Sequence, residues 1–405
     1  MSTRRLESML SSVSVIVAAE PRLREEPAEA LVELVLASRQ PWWRRAACAR
    51  ALKGRVPPSS TSALLELLKH EQTEGEIKRD VLTVLAEPGQ PHAERLLGWL
   101  RSLEGTAPRW RARDLDVATA RGRLNDATVI PQLAVFAADP WPHRSKPAME
   151  ALGAVELETL LTQLGATTLE ALAFESPAPE RRLVGIRLLH ARGGDLLPAL
   201  ADPVHLCARE AATLTKPSPA LRVLASTRAR GSLWARVALH FRGETIPLDA
   251  PKYPLPTVPD DVREAIVREY APGQRDTDPR WILEGASLDP AGRPDPMSSV
   301  QRAFDALKAA GLAPENPVSA GDLNQQGEGT YFSIVFGTRF AWVSTLGPFF
   351  YLPSADERAA AALVAAGFRD IDVELGATKF DGLCVYQFGE REPLIVGELL
   401  FYWQD

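Results

Sequence analysis

The chain of 405 residues is 45% hydrophobic and 24% charged, a balance that excludes an intrinsically disordered protein and provides enough length for two domains. Its formal charge of −6 is unevenly distributed: residues 1–245 carry 33 Lys and Arg against 28 Asp and Glu, whereas residues 246–405 carry 13 against 24. We therefore expect the two parts to attract different partners, or each other.

The cysteines and the apolar segments indicate the cellular compartment in which we expect the protein. Cys48, Cys207 and Cys384 are far apart and lack the spacing of a zinc site, so we predict no metal, no cofactor and a reducing compartment. A weakly apolar run over residues 9–19 is diluted by serines, and no stretch approaches the roughly 18 residues that span a bilayer. We expect a cytoplasmic protein without membrane association, with secretion as the alternative.

A recurring unit fills most of the first 245 residues. It consists of a short amphipathic stretch followed by a longer apolar helical face with a basic residue in its first turn. The short stretches are 30–36, 63–68, 93–103, 129–136 and 157–164. The basic residues, here called the basic column, are Arg44, Lys78, Arg111, Arg144, Arg181, Arg209 and Arg236. Helix pairs of this length cannot bury their apolar faces alone, so we expect them to stack on one another.

This pattern resembles that of the HEAT-repeat, or armadillo-like, family over residues 28–245. The resemblance implies an α-solenoid, in which stacked helix pairs form a superhelix. We therefore predict a mainly α protein with a HEAT-like α-solenoid over residues 1–245, followed by a smaller α+β domain.

The composition changes after the predicted solenoid. Five prolines within residues 247–259 predict an extended linker over residues 246–297, interrupted by a helix at 261–270. The last domain, residues 298–405, is expected to open with a helix that Ser298 or Ser299 caps.

The remainder of the chain has an extended period. Ser354 and Glu357 predict a capping box for a helix over residues 355–366, which Gly367 ends. The predicted strands are 331–336, 340–345, 349–352, 370–375, 383–388 and 394–403, of which the first two form a hairpin. We expect an antiparallel sheet with helices packed on it.

Tryptophans and arginines gather at the starts of the longer helices. Such side chains dominate binding hot spots and stack on bases, but at repeat junctions they also pack one unit on the next. The candidate binding residues are Trp43, Arg44, Trp110, Arg111, Arg144, Arg181, Trp234 and Arg236. The sequence leaves both roles open.

One group of these residues points to an enzyme. Trp110 and Asp114 are four residues apart and share a helical face, and Arg144 follows one repeat later. The group resembles the aromatic-plus-aspartate site of the HEAT-like alkylpurine DNA glycosylases, which implies a carboxylate that stabilises a cationic sugar. Because no other catalytic motif is present, we predict a protein that is not an enzyme, with DNA glycosylase and a nucleic-acid partner as the alternative.

Three acidic residues alternate near the C-terminus. On a strand, Asp370, Asp372 and Glu374 would share one face. There they could hold a hard cation, form a docking patch for a basic partner, or discourage aggregation between strands.

The predicted function is recognition of a protein partner by a non-enzymatic scaffold or adaptor. A HEAT-like scaffold with a small appended α/β domain is similar in architecture to bacterial proteins of accessory systems. By analogy, this architecture implies an inhibitor or immunity protein whose acidic module neutralises a basic toxin. Bilin lyases share the scaffold and would need a pigment partner. The identity of the partner and the oligomeric state are not predicted.

Overall fold

The computed structural model describes residues 2–12, 16–70, 73, 75–87, 89–103, 114–139, 141–244, 252–255, 257–271, 276–288, 295–324, 328–385 and 394–404. The chain divides into two compact units, Met1–Gly194 and Asp195–Asp405. The first unit is helical, and the second combines helices with β-sheet. None of the helices in the described ranges is both long and apolar enough to cross a membrane.

The helices of the first unit follow the predicted repeats. They are α1 Ser2–Met9, α2 Ile16–Leu23, α3 Ala28–Leu36, α4 Trp42–Ala51, α5 Thr61–Lys69, α6 Gly75–Leu85, α7 Ala93–Ser102, α8 Asp114–Arg123, α9 Ile130–Ala137, α10 Pro142–Ala154, α11 Leu157–Leu164, α12 Leu169–Phe174 and α13 Pro179–Ala191. Consecutive helices pack as pairs, such as α3 with α4, α9 with α10 and α12 with α13. The longer helices also pack on each other, α4 on α6 and α8 on α10. The helical character of this part and the pairing of its helices are confirmed.

Local sequence signals set the ends of these helices. Pro142 and Pro179 occupy the first turn of α10 and α13, where the missing N–H costs no hydrogen bond. Gly165 ends α11 with φ of +70°, a left-handed conformation that a residue with a Cβ adopts at a cost. The apolar faces are buried, as Leu31 and Leu34 of α3 show with no exposed surface.

The second unit begins with helices that the sequence assigned to the solenoid. Its helices are α14 His205–Leu214, α15 Pro219–Ser226, α16 Ser232–His240, α17 Asp260–Tyr270, α18 Pro279–Ser287, α19 Pro296–Ala309, α20 Ala320–Leu323, α21 Glu357–Ala365, α22 Val373–Gly376 and α23 Val396–Leu400. Within this unit α16 packs against α18. The predicted domain ends at residues 245 and 297 stay predictions.

The predicted linker contains two helices rather than one. Helix α17 agrees with the predicted 261–270, whereas α18 was not predicted. The two helices are joined by a bidentate ion pair, in which Arg263 Nε and Nη2 each donate to a carboxylate oxygen of Glu284 at 2.6 Å. Trp281 of α18 is fully buried and stacks on Tyr253 and Phe380, with ring centroids 5.0 and 4.9 Å away. Apolar packing of Trp281 thus stabilises a second helix within residues 246–297, the segment that was predicted to be an extended linker.

The strands form one mixed sheet and two small ribbons. They are β1 Val318–Ser319, β2 Glu328–Gly329, β3 Tyr331–Phe336, β4 Arg339–Ser344, β5 Phe349–Tyr351, β6 Arg369–Asp370, β7 Lys379–Phe380, β8 Leu394–Ile395 and β9 Trp403–Gln404. The main sheet has the order β1-β3-β4-β5-β6, while β2 pairs with β9 and β7 with β8. Only β5 and β6 run parallel, so the main sheet is mixed rather than antiparallel as predicted. The predicted hairpin is confirmed as β3–β4, with Ile334 opposite Ala341 and a turn at Gly337.

The two faces of the main sheet have different cover. Ile334, Ala341 and Val343 lie on the face that packs against α19 and α21. Successive residues of a strand point to opposite faces of the sheet, and cross-strand partners share a face. Trp342, which lies between Ala341 and Val343, and its partner Tyr351 therefore lie on the opposite face. There their rings meet Phe401, which follows α23.

Three predicted strands are wrong in whole or in part. The chain leaves strand conformation after Asp370, because Asp372 caps α22 by accepting a hydrogen bond from Leu375 N at 2.8 Å. Residues 383–385 form no strand, and the rest of the predicted strand 383–388 lies outside the described residues. The predicted strand 394–403 is split into β8 and β9 by α23.

The cap of α21 also differs from the prediction. Asp356, not Ser354, accepts the hydrogen bond from Ala359 N, at 2.9 Å. The helix ends at Ala365, and the predicted stop residue Gly367 follows two residues later with φ of +85°. Similarly, Asp295 caps α19 in place of the predicted serines by accepting from Ser298 N at 3.0 Å.

Candidate binding site

Several arginines of the basic column cap the C-terminal ends of preceding helices. Arg44 Nε donates to Leu10 O at 2.7 Å, Arg181 Nη1 to Leu164 O at 3.0 Å, and Arg236 Nε to Ala225 O at 2.9 Å. The last carbonyls of a helix have no partner within it, and its C-terminus carries partial negative charge. A cation at this point therefore joins the end of an earlier helix to the helix that carries the arginine.

The other described members of the column also contact their own chain. Lys78 is fully buried. Arg144 pairs with Asp139 at 2.7 Å, and its guanidinium lies 5.4 Å from the ring centroid of Phe136. The guanidinium of Arg209 lies 5.7 Å from the ring centroid of Phe241, and burial lowers the pKa of Arg209. These contacts favour the packing role for the column over the ligand-binding role.

The described candidate tryptophans also make packing contacts within the chain. The guanidinium of Arg44 lies 5.0 Å from the ring centroid of the half-buried Trp43. Trp234 is 5% exposed and meets the His205 ring edge-on at 5.9 Å. Trp110 and Arg111 lie outside the described residues. The two described candidates thus take part in packing contacts.

The glycosylase-like group is only partly described. Asp114 is exposed at the first position of α8, and Arg144 of α10 is held by Asp139. Helices α8 and α10 pack together, but the position of Trp110 relative to them is not described. The glycosylase alternative stays a prediction.

The structure brings Trp234 and Arg236 together in an open cleft of about 730 Å³ in the second unit. One wall is the turn before α16 and the first turn of that helix; the other is the turn before α14. We call it the arginine cleft, and its lining residues are 200–203, 205, 227–234, 236 and 279. Of the other predicted binding residues, Trp43, Arg44, Arg144 and Arg181 do not line it, and Trp110 and Arg111 lie outside the described residues.

The wall before α16 is built by a tight turn. Ser232 N donates to Ala229 O at 3.0 Å, and Ala229 N donates to Thr227 Oγ1 at 3.2 Å. Gly231 has φ of +89°, and a Cβ at this position would lie 3.0 Å from the backbone of Leu200. Only glycine allows this close approach without strain, so the turn is held against the opposite wall.

Two guanidinium groups at this turn remain available to a ligand. Arg228 and Arg230 are exposed, and within the part of the chain that the structure describes neither makes an ion pair or a side-chain hydrogen bond. Nearby Arg222 differs, since it forms a bidentate pair with Glu244 at 3.0 and 2.6 Å. The turn also precedes the N-terminus of α16, which carries partial positive charge. The cleft is therefore suited to a carboxylate or another anion.

The opposite wall is fixed by polar contacts. Asp202 Oδ1 accepts from Val204 N at 2.8 Å, and His205 Nδ1 lies 3.4 Å from Thr277 O. Burial alone would raise the pKa of neighbouring Asp278, but hydrogen bonds and charge from Arg280, with a contribution from His205, hold that pKa below its usual value. Asp278 thus stays ionised and paired.

The predicted acidic patch is not a single strand face. Asp370 ends β6, whereas Asp372 caps α22 and Glu374 lies within that helix. The pKa of Asp370 is raised by burial and by the charge of Asp372. No group of three His, Cys, Asp or Glu side chains among the described residues has the arrangement of a metal site.

No protein-family model matches the sequence, and neither a curated protein nor a solved structure matches it at a significant level. Sequence reasoning found Trp234 and Arg236 but missed Arg228 and Arg230. The signal that could have identified these two is the run Arg-Ala-Arg-Gly over residues 228–231, since two arginines beside a glycine turn tend to be exposed.

Proposed function

We propose that this chain is a non-enzymatic binding protein, built on a HEAT-like helical scaffold, that holds an acidic segment of a protein partner in the arginine cleft. The observation that carries the proposal is the pair of exposed guanidinium groups of Arg228 and Arg230 at the edge of an open cleft. Arginine offers a planar set of donors that matches a carboxylate and keeps its charge at any physiological pH.

The charge of the surrounding unit favours a protein segment over a nucleic acid. Residues 195–405 carry 20 Lys and Arg against 28 Asp and Glu. Affinity for nucleic acid comes mainly from neutralising many phosphates, and a net negative unit would repel such a polyanion. A short segment with one or two carboxylates needs only the local positive charge of the cleft.

The cleft is also better suited to recognition than to catalysis. Catalytic sites strengthen their electrostatic interactions by excluding water, whereas this cleft is open to solvent. Trp234 and Gly231 give it a rigid base, which lowers the entropic cost of ordering a bound segment. By analogy with HEAT-like accessory proteins, an inhibitor or adaptor is the narrower form of this proposal.

Charge reversal tests the proposal. The variant Arg228→Glu/Arg230→Glu is compared with Arg22→Glu/Arg39→Glu, which makes the same charge change at two exposed arginines of the first unit. A fluorescein-labelled decaglutamate peptide is titrated against both, and we expect about a tenfold or greater loss of affinity in the cleft variant only. Affinity capture from the native host, quantified by mass spectrometry, should lose the same partners in that variant alone.

Two outcomes would refute the proposal. Equal weakening by both variants would show non-specific attraction, and unchanged affinity in the cleft variant would place the acidic segment elsewhere. A 12-base-pair DNA duplex is titrated in parallel; tighter binding of the duplex than of the peptide, lost in the cleft variant, would establish nucleic acid as the ligand instead.

A further inference from the structure

A second cavity, of about 340 Å³, lies on the face of the main sheet that α19 and α21 do not cover. It shares no lining residue with the arginine cleft. The lining residues are Trp342, Tyr351, Ile371, Asp372, Val373, Gly376, Ala377, Ile395, Gly397, Glu398 and Phe401. We call it the aromatic cavity.

Three aromatic rings form one wall of this cavity. The ring centroid of Trp342 is 5.6 Å from that of Tyr351 and 6.3 Å from that of Phe401, and the last two are 6.1 Å apart. Trp342 and Tyr351 are direct partners across β4 and β5, so the sheet fixes their relative position. The rings are tilted by 40–44° relative to one another and are not stacked face to face, so part of their surface remains available to a ligand.

Another part of the cavity is aliphatic and lies where two helices meet closely. Ile371 and Ile395 contribute aliphatic surface. Helices α22 and α23 meet at Gly376 and Gly397, and a Cβ on Gly397 would lie 3.2 Å from Gly376 O. The absence of a side chain at Gly397 therefore allows the helices that carry the acidic residues to approach each other.

Two carboxylates line the same cavity. Asp372 is exposed at the start of α22, and Glu398 lies half-buried in the first turn of α23. Asp370 precedes Asp372 by two residues, and burial, followed by the negative charge of Asp372, raises the pKa of Asp370. No ion pair joins Asp372 or Glu398 to a basic side chain within the part of the chain that the structure describes, so neither charge is neutralised there.

We propose that the aromatic cavity binds an organic cation with an apolar stem, an alkylammonium or alkylguanidinium group. The stem would lie against the aliphatic surface, while the charged group would meet the faces of the rings and the two carboxylates. A cation over an aromatic face is attracted by the ring quadrupole, and the attraction is stronger when the cation is desolvated. Lysine and arginine side chains have this same chemistry, so the ligand is either a free amine or a basic side chain of a partner.

The indole N–H of Trp342 is a direct reporter of binding. Its nitrogen is buried and has no acceptor among the described residues, so a ligand in the cavity should shift its resonance. The resonance is assigned with Trp342→Phe in the full-length, ¹⁵N-labelled chain. The probes are n-butylammonium and n-butylguanidinium, with n-butanol and pentanoate as the neutral and anionic counterparts that carry the same n-butyl stem.

The variant Asp372→Asn/Glu398→Gln removes the charges and keeps the side-chain shapes. Asparagine caps helices as well as aspartate does, so α22 should persist. The matched control is Glu264→Gln/Glu315→Gln, which changes two exposed carboxylates of the same unit that do not line the cavity. We expect both cations to bind about tenfold or more tightly than n-butanol, with a similar loss in the cavity variant and none in the control.

Equal binding of n-butanol and n-butylammonium would overturn the proposal, because the cavity would then be only apolar. So would unchanged cation affinity in the cavity variant, or no shift of the Trp342 resonance with either cation. A peptide with one central arginine distinguishes the two sources of the ligand. Tighter binding of the peptide than of n-butylguanidinium would assign the cavity to a protein side chain, and weaker binding would assign it to a free amine.

Discussion

Asp126 is the most strongly paired carboxylate among the described residues of the first unit. It is 2% exposed and accepts from Arg121 Nε at 2.8 Å, Arg101 Nη2 at 3.0 Å and Thr128 Oγ1 at 2.8 Å. Burial alone would raise the pKa of this carboxyl, but hydrogen bonds from these three residues and the charge of Arg121 hold it far below the usual value. The ionised form of Asp126 therefore stabilises the fold.

Replacing Asp126 with asparagine should destabilise the protein by about 3–5 kcal/mol at pH 7, because Arg121 would remain buried without its counter-charge. Since the pKa is depressed in the folded state, the stabilisation is fully present above the unfolded value of about 3.9 and is lost as the pH falls below it. Urea unfolding at pH 7 and pH 3 measures both effects, and the difference between the two proteins should shrink at pH 3. A difference independent of pH would contradict this prediction.

A surface carboxylate provides the control for Asp126→Asn. Glu150 lies 3.9 Å from Arg123, and its side chain is 55% exposed. Exposed ion pairs contribute about 0–1 kcal/mol, so Glu150→Gln should leave the free energy of unfolding nearly unchanged. A loss in this variant as large as that in Asp126→Asn would show that burial is not the cause.

Between helices, arginine-to-carbonyl contacts are the recurring link. Arg45 is 4% exposed, and its Nε donates to Val35 O in the last turn of α3 at 2.8 Å. Arg45→Met keeps most of the apolar stem but leaves that buried carbonyl without this donor, which should cost about 1–3 kcal/mol. Arg39→Met, at an exposed position, should change stability by no more than about 0.5 kcal/mol. Equal urea midpoints for the two variants would show that this link contributes nothing to stability.

The sequence predicted elements well where a local period decided the structure. The short helices of the repeats and the hairpin of β3 and β4 follow from spacing alone. It failed where tertiary packing chose between two structures that fit one pattern. The segment Val396–Leu400, in which Val396, Leu399 and Leu400 are buried, fits a strand or a short helix, and it forms α23 against the core of the second unit. At Asp372 a helix cap took precedence over an alternating strand pattern.

The candidate site was predicted less well than the fold for a related reason. The described members of the basic column lie near the starts of their helices, but the direction of each side chain depends on neighbouring carbonyls that the sequence does not place. Arg236 therefore lines the arginine cleft while donating to Ala225, and the exposed Arg228 and Arg230 lie outside the column. Both cavities combine residues from distant segments, as Trp342 and Phe401 show, so no local motif identifies them.

At the scale of the whole molecule, the end of the helical domain can be placed at two different points of the chain. The repeat pattern predicts that the helical part ends near residue 245, whereas the compact units meet between Gly194 and Asp195. Within the second unit, Leu206 N donates to Asp276 Oδ1 at 3.2 Å and Thr277 Oγ1 to Cys384 O at 2.9 Å. These bonds connect α14, through the segment before α18, to the sheet-containing part.

Four fragments distinguish the two descriptions: 1–194, 195–405, 1–245 and 246–405. We expect 195–405 to unfold in urea in one cooperative transition, because it keeps α16 on α18. Fragment 246–405 should unfold at lower urea concentration and bind the dye ANS, since removing α16 exposes the apolar surface that this helix covers on α18. Cooperative unfolding of 246–405 at the same midpoint as 195–405, with 1–194 unable to fold and 1–245 folded, would instead place the end of the helical domain near residue 245.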